Sequence, residues 1–329
     1  MKTSGLIAAA TAAILSTSAL ADSLTFATTN PEMHPLNTGL MTTWAEEINQ
    51  SGALDITLRH GPMIANHTNF YDRVIDGVVD GAWGMSVFNP GKFTNSLIMG
   101  IPFYVRSAEE GSVAACRLWE AGLFGDDYDD VHPLFFAQFP NASFHTVDTP
   151  IDGLRAMNSL SVIALSPSGA EIIKGNGGTP LSVNVTEIYE TLERGMADAL
   201  LSPFTVMPAF RTDEQLKHHY IAPLGGALGV AFISKDAYEG LSEEAKAVIA
   251  PVCEMSRKAG KFIDGWEASA IEMIGAKDGH TIATMSDEEV AGAISYVGGD
   301  ILAGIAQSLP GGQPLVDGLL AALETAKTN

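Results

Sequence analysis

The sequence is poor in cysteine and in positive charge. Cys116 and Cys253 are its two cysteines in 329 residues, too few for a disulfide framework and without the CxxC or histidine neighbours of a zinc site. Both fall in helical patterns, where a free buried thiol is as ordinary as a bridged one, and the reading leans slightly towards two free thiols. Lysine and arginine number 18 against 39 acidic residues, a net charge of −21. Such a surface repels nucleic acid and anionic lipid, which argues against both as partners. Beyond the first residues no segment reads as long and apolar enough to span a bilayer. GxSxG, SxxK and HExxH do not occur, and GNGGTP (175–180) lacks the GK[ST] ending of a phosphate loop. No catalytic nucleophile, metal site or cofactor is therefore expected, and a secreted hydrolase is the rival reading from another class.

The first residues, MKTSGLIAAATAAILSTSALADS, place Lys2 before an apolar stretch and Ala19-Leu20-Ala21 before Asp22. That order is expected of a secretory signal peptide over 1–21, exporting the rest to the periplasm. Apolar residues make up 46%, enough for well-filled cores, and the length fits two domains.

The two halves repeat a phrase. YDRVIDGVVDGAWGM (71–85) and YETLERGMADALLSP (189–203) each set Tyr, Val or Leu, Gly and Asp three residues apart. Apolar residues at that spacing share a helix face, and the Gly suits the left-handed residue that ends a helix. The apolar runs after Asp80 and Asp198 read as buried strands. Two helix–turn–strand units imply two similar α/β lobes with a ligand cleft at the carboxyl ends of their strands. The remaining patterns alternate strand and helix, giving βαβ units and largely parallel sheet. After Leu241 a long helical pattern, with a kink at Pro251, is long enough to lie across both lobes. The lobes are expected at 22–145 plus roughly 230–262, and at 146–229 plus roughly 263–329.

In order along the chain, FATTNPEMHPLN, VVDGAWGMSVF, IPFYVRSAEEG, TEIYETLERGMADALLSP and FISKDAYEGLSEEAKAVI resemble the solute-binding proteins of TRAP (tripartite ATP-independent periplasmic) transporters. The resemblance covers nearly all of the chain after residue 21, and TEIYETLERGMADALLSP is its most specific stretch. It implies a two-lobed fold of the type II periplasmic binding protein kind, joined by hinge strands and a bridging helix. It also implies a monomer that closes on a small solute, usually an organic acid, and delivers it to a TRAP-type membrane permease. A binding protein serving an ATP-driven importer or a sensor is the neighbouring alternative. The family's carboxylate-gripping Arg is missing: LSVIALSP offers Val162 or Ile163 at that place, and PNASFHTVDTPI offers Ala142 or Ser143 for a second. A buried carboxylate without a cation is costly, so the ligand is held by His, Asn and hydroxyl groups or is less acidic than usual. Arg155 is the nearest substitute.

Candidate ligand-binding residues follow from the loops expected to open on the cleft. They are Glu32 and His34 after the first strand, Asn66 and His67 before the first repeated helix, and Met85, Ser86, Phe88 and Asn89 after its strand. Phe139, Asn141 and Phe144 mark the expected crossing between lobes. Ser166 and Ser168 follow the strand that lacks its Arg, Asn184 precedes the second repeated helix, and Ser202 and Phe204 follow its strand. Thr68 reads as a helix cap, Arg106 as structural, and His218-His219 as a solvated loop.

Overall fold

The computed structural model describes residues 22–183 and 187–326; the expected signal segment and Asn184 lie outside the described residues. The chain opens with β1 (Asp22–Thr28), α1 (Thr42–Asn49), β2 (Leu54–His60), α2 (Phe70–Ile75) and β3 (Gly81–Met85), then α3 (Ala108–Glu120) and β4 (Val131–Gln138). It crosses into a second unit of β5 (Ser143–Thr146), β6 (Ser161–Ala164), α4 (Pro167–Gly175), β7 (Thr179–Leu181), α5 (Ile188–Glu193), β8 (Ala199–Ser202), α6 (Val206–Ala209) and β9 (His218–Ile221). It returns as β10 (Leu228–Ser234), α7 (Lys235–Gly240), α8 (Glu243–Ile249) and α9 (Val252–Gly275). It ends with β11 (Thr281–Thr284), α10 (Asp287–Ala293), α11 (Gly299–Ser308) and α12 (Gly312–Ala326).

The two sheets are built to one plan. The first runs β2-β1-β3-β10-β4, and the second runs β7-β6-β8-β5-β9 with β11 added at its edge. In each, three parallel strands are followed by an antiparallel strand that has crossed from the other half. The sheets are therefore mixed where the sequence pattern reads as largely parallel, because each crossing strand enters against the direction of its neighbours.

The repeated phrase has a physical cause. Gly77 and Gly195 take φ of 69° and 65°, the left-handed geometry that terminates a helix without a Cβ penalty. Asp80 accepts the Thr25 N–H at 2.7 Å, and Asp198 accepts the Ser161 N–H at 2.8 Å. The backbone N–H of each aspartate returns a bond to the carbonyl of the same partner residue. Each phrase thus ends a helix and fixes the register of the next strand on its parallel neighbour, β3 on β1 and β8 on β6.

Two clusters fill the first lobe, around Phe70, Phe93, Phe136 and Phe232 on one sheet face and around Phe26, Trp44, Trp83 and Phe135 on the other. Two more fill the second lobe, around Phe144, Met157 and Leu201, and around Ile163, Leu200 and Phe204. The lobe boundaries differ from expectation at both ends. Residues from Ser143 already belong to the second sheet, and α12 returns to the first lobe, where Leu315, Val316, Leu319 and Leu323 join the core beside α3.

The halves are joined by two crossing segments, 139–142 and 222–227, that hydrogen-bond to each other: Phe139 N–H donates to Ala227 and Ala142 N–H to Gly225. Asn141 stitches them, its amide donating to the Val105 carbonyl at 2.9 Å and its Oδ1 accepting the Gly225 N–H at 3.2 Å. Gly225 has φ of 95° and a Cβ there would lie 2.4 Å from the Gly100 carbonyl oxygen, so only glycine fits the crossing.

Pro251 separates α8 from α9 instead of merely kinking one helix, since it cannot continue the hydrogen-bond ladder. α9 buries Ala259 and Ile263 in the first lobe and Ala270 and Ile274 in the second. The run from Asp287 to Ser308, with a π turn at Ile294–Gly298, has the length and composition of a membrane span, contrary to the sequence reading. Here it crosses between the lobes, packing Val290, Ile294, Val297 and Ile301 on the second and Leu302 and Ile305 on the first.

Cys116 on α3 and Cys253 on α9 form a disulfide, with Cα atoms 5.3 Å apart. The lean towards free thiols is corrected: packing of α3 against α9 brings together residues separated by 137 positions. Closing so long a loop removes much unfolded-state entropy. Replacing both cysteines by alanine should lower unfolding free energy by roughly 2–5 kcal/mol in a urea titration; an unchanged midpoint would show that the bridge does not form.

Candidate functional site

Between the lobes lies a crevice of about 1510 Å³. The first lobe contributes Val87, Phe88 and Pro90, the second Leu165, Ser166, Pro167 and Ser168, and the floor includes Gly226 of a crossing segment. The helical run from Asp287 forms a further wall with Tyr296, Val297 and Ile301. The lining is mostly apolar, and Phe88 and Tyr296 stand 52% and 88% exposed to it. Arg155 is its one cation among the described residues, and the acids Glu171 and Asp300 also line it.

Among the predicted residues, Phe88, Ser166 and Ser168 line this crevice. Ser166 caps α4, accepting the Gly169 N–H at 3.1 Å, and Ser168 lies 3.1 Å from it, oxygen to oxygen. His67 packs against Phe88 at 5.2 Å between ring centroids and its Nε2 meets Thr29 Oγ1 at 3.2 Å. Burial, with His34 nearby, holds the His67 imidazole at about 4, so it is neutral. His34 stands edge-on to Trp266 at 5.6 Å, and Phe139 bridges Trp83 and Trp266.

The other candidates have scaffold roles. Asn66, not Thr68, organises the turn into α2: its Oδ1 accepts the Thr68 hydroxyl and the Thr68 and Asn69 N–H groups. Asn89 donates to the His67 carbonyl at 2.7 Å, holding that loop against the strand end. Asn141 is the hinge stitch. Met85 packs on the first-lobe core, and Glu32 is exposed on the loop after β1. Ser86 and Ser202 are fully buried at the ends of β3 and β8; Ser86 donates to the Leu228 carbonyl, and the Ser202 hydroxyl has no partner among the described residues. Met85 pairs with Gly229 and Ser202 with Ser143, so both strand ends abut the crossing segments.

Phe144 and Phe204 are corrections. Both are fully buried in second-lobe cores, because strand alternation and the turn after β8 aim them away from the crevice. Val162 and Ile163 are likewise buried, on opposite faces of the sheet; the chain meets the crevice just past the strand, at Leu165. Arg106 pairs with Asp287 at 2.7 Å, in keeping with a structural role. His218 and His219 lie on β9, not in a loop, and His219 is buried.

Sequence reasoning missed two residues that join the lobes here, Asp264 and Glu267 on α9. Three residues apart, they share a helix face. Asp264 accepts the Ala108 and Glu109 N–H groups of the first lobe at 2.7 and 2.9 Å. Glu267 accepts the Phe204 and Thr205 N–H groups of the second, both at 2.9 Å. Burial raises both carboxyls against the opposing pull of these bonds, and pushes Glu267 up to about 7. The two acids three residues apart in DGWEAS, midway along α9, were the available signal.

Such a fold and site define a two-lobed binding protein. Residues 26–295 match the family DctP, bacterial extracellular solute-binding protein family 7, and the chain belongs to that family. Members bind small solutes and deliver them to TRAP membrane components. Solved structures agree in fold. A marine metagenome TRAP solute-binding protein specific for aromatic acid ligands, in complex with 3-hydroxybenzoate, is 23% identical; the match covers 93% of this chain and 99% of that one, with TM-score 0.80. A TRAP periplasmic solute-binding protein from Bordetella bronchiseptica with bound mandelate is 20% identical over 92% and 99%, TM-score 0.75. The ectoine-binding protein of the TeaABC TRAP transporter of Halomonas elongata is 17% identical over 92% and 100%, TM-score 0.73.

Glu267 gives a pH test with a definite sign. A carboxyl raised in the fold contributes stability that is fully present below its unfolded value of 4.5 and lost as pH rises through about 7. The wild-type melting temperature should therefore fall across that interval relative to Glu267→Gln; parallel curves would contradict the burial argument.

Proposed function

We propose that this chain is a periplasmic receptor, exported by its N-terminal segment, that captures a small aromatic organic acid between its lobes for a TRAP-type permease. The observation that carries the reading is the crevice itself: largely apolar, contributed by both lobes, with exposed Phe88 on one side and the Ser166–Ser168 turn on the other. Phe88 and Leu165 receive the ring. Ser166 and Ser168, at the N-terminus of α4, take the polar end, where helix dipole and hydroxyl groups favour partial negative charge. Arg155, with no ion-pair partner among the described residues, supplies the positive potential that a chain of −21 otherwise lacks. Neutral His67 packs behind Phe88, and Ser86 ties the end of β3 to the Leu228 carbonyl of β10. The protein acts as a monomer and a carrier, with no chemical step.

Aromatic acids related to those held by the structural neighbours, including benzoate and mandelate, form the test set, against sugars, polyols and ectoine. A solute that binds only the folded form raises the melting temperature by mass action. An aromatic monocarboxylate is expected to do so, Phe88→Ala and Ser168→Ala to weaken binding about tenfold each, and Arg155→Gln to weaken binding of the anion more than that of a neutral analogue. A shift that survives all three substitutions would place the solute elsewhere.

A further inference from the structure

Three histidines in the second lobe form a continuous chain. His145 on β5 and His219 on β9 are opposite each other in the antiparallel register and are both buried. The His145 Nδ1 and His219 Nδ1 are 2.9 Å apart, and His219 Nε2 lies 3.0 Å from His280 Nδ1. At the inner end His145 Nε2 is 2.9 Å from the Ser202 carbonyl, and at the outer end His280 Nε2 is 3.3 Å from Lys217 Nζ.

The ends fix the direction of every bond. A carbonyl can only accept, so His145 carries its proton on Nε2 and its Nδ1 is the acceptor. His219 must then donate from Nδ1 and accept at Nε2. His280 donates from Nδ1, and its Nε2 accepts from the Lys217 ammonium, which can only donate. The chain therefore runs one way, Lys217 to His280 to His219 to His145 to Ser202. It has room for no additional proton: protonating any one imidazole sets two N–H groups, or an N–H and an ammonium, against each other.

We propose that this one-way wire ties the inner end of β8 to the outer surface of the second lobe only while all three imidazoles are neutral, making that lobe an acid-released element. Ser202 follows Leu201, which pairs with Ala164, and the next residue on that strand, Leu165, lines the crevice. Breaking the wire thus loosens the side of the crevice that the second lobe provides, a consequence that rests on the solute-receptor reading while the wire itself does not.

The surroundings oppose charge. The Phe204 ring stands edge-on to His145 at 4.8 Å and leans on His219 at 5.4 Å. Lys217, His218 and Lys277 add positive potential from β9 and the end of α9, and Asp213, paired with Lys277, offsets part of it at His280. Glu267 reaches the backbone N–H of Phe204 from α9 and is the nearby carboxyl. Burial, reinforced by the neighbouring imidazoles and by Lys217, holds His219 at about 2, and burial alone holds His145 at about 4.

Imidazole ¹⁵N NMR of the wild-type protein tests the assignment without any solute. The expected result is His145 as the Nε2–H tautomer, His219 and His280 as Nδ1–H tautomers, and no titration of His145 or His219 near the free-imidazole value of about 6.5. Amides of β5 and β8 should lose protection about tenfold relative to the first sheet on acidification to about pH 4, and His219→Gln should reduce that pH dependence. An Nδ1–H tautomer at His145, an ordinary titration of either buried ring, or equal acid response of both sheets would overturn the proposal. Should His219→Gln not fold, the wild-type tautomers and exchange decide the matter.

Discussion

Two carboxylates on one helix hold the halves of this protein in relation to each other. Asp264 grips the start of α3 in the first lobe, and one turn later Glu267 grips the backbone after β8 in the second. Each accepts two N–H groups that would otherwise be unpaired, so neither lobe can leave α9 without orphaning buried donors. The crossing segments, stitched by Asn141, and the α9 clamps are where the two lobes are tied. A crevice that opens and shuts about such a hinge is what capture of a small solute requires.

The same arrangement explains the twin plan of the sheets. At the two crossing segments the chain inserts one antiparallel strand into each half, and the repeated Asp80 and Asp198 lock the strand that receives it. The carboxyl ends of β3 and β8 then face the crossing, and their loops, from Phe88 on one side and from the β6–α4 turn beside β8 on the other, become the walls. The crevice follows from this geometry more than from any one side chain.

Legibility in the sequence followed distance along the chain. Gly77 and Gly195 were readable because each ends the helix just before it; the aspartates were readable as a repeat, although their partners Thr25 and Ser161 lie 55 and 37 residues away, and the two-lobed α/β fold follows from that repeat. Phe88, Ser166 and Ser168 were readable because they sit in turns directly after strands. Phe144 and Phe204 were misplaced because β5 is buried on both faces and the turn after β8 folds Phe204 into the second-lobe core. The Cys116–Cys253 bridge, the return of α12 to the first lobe and the His145–His219–His280 chain join residues far apart in sequence. No periodicity reports such a contact, and only packing brings the partners together.

The central claim is that the lobes close on a guest in the seam they share. The distance between spin labels placed at Lys92 on the first lobe and Lys174 on the second, measured by pulsed dipolar spectroscopy, tests it most directly. With saturating aromatic acid the distribution should shorten and narrow; a distribution that is the same with and without a solute shown to bind would contradict the account.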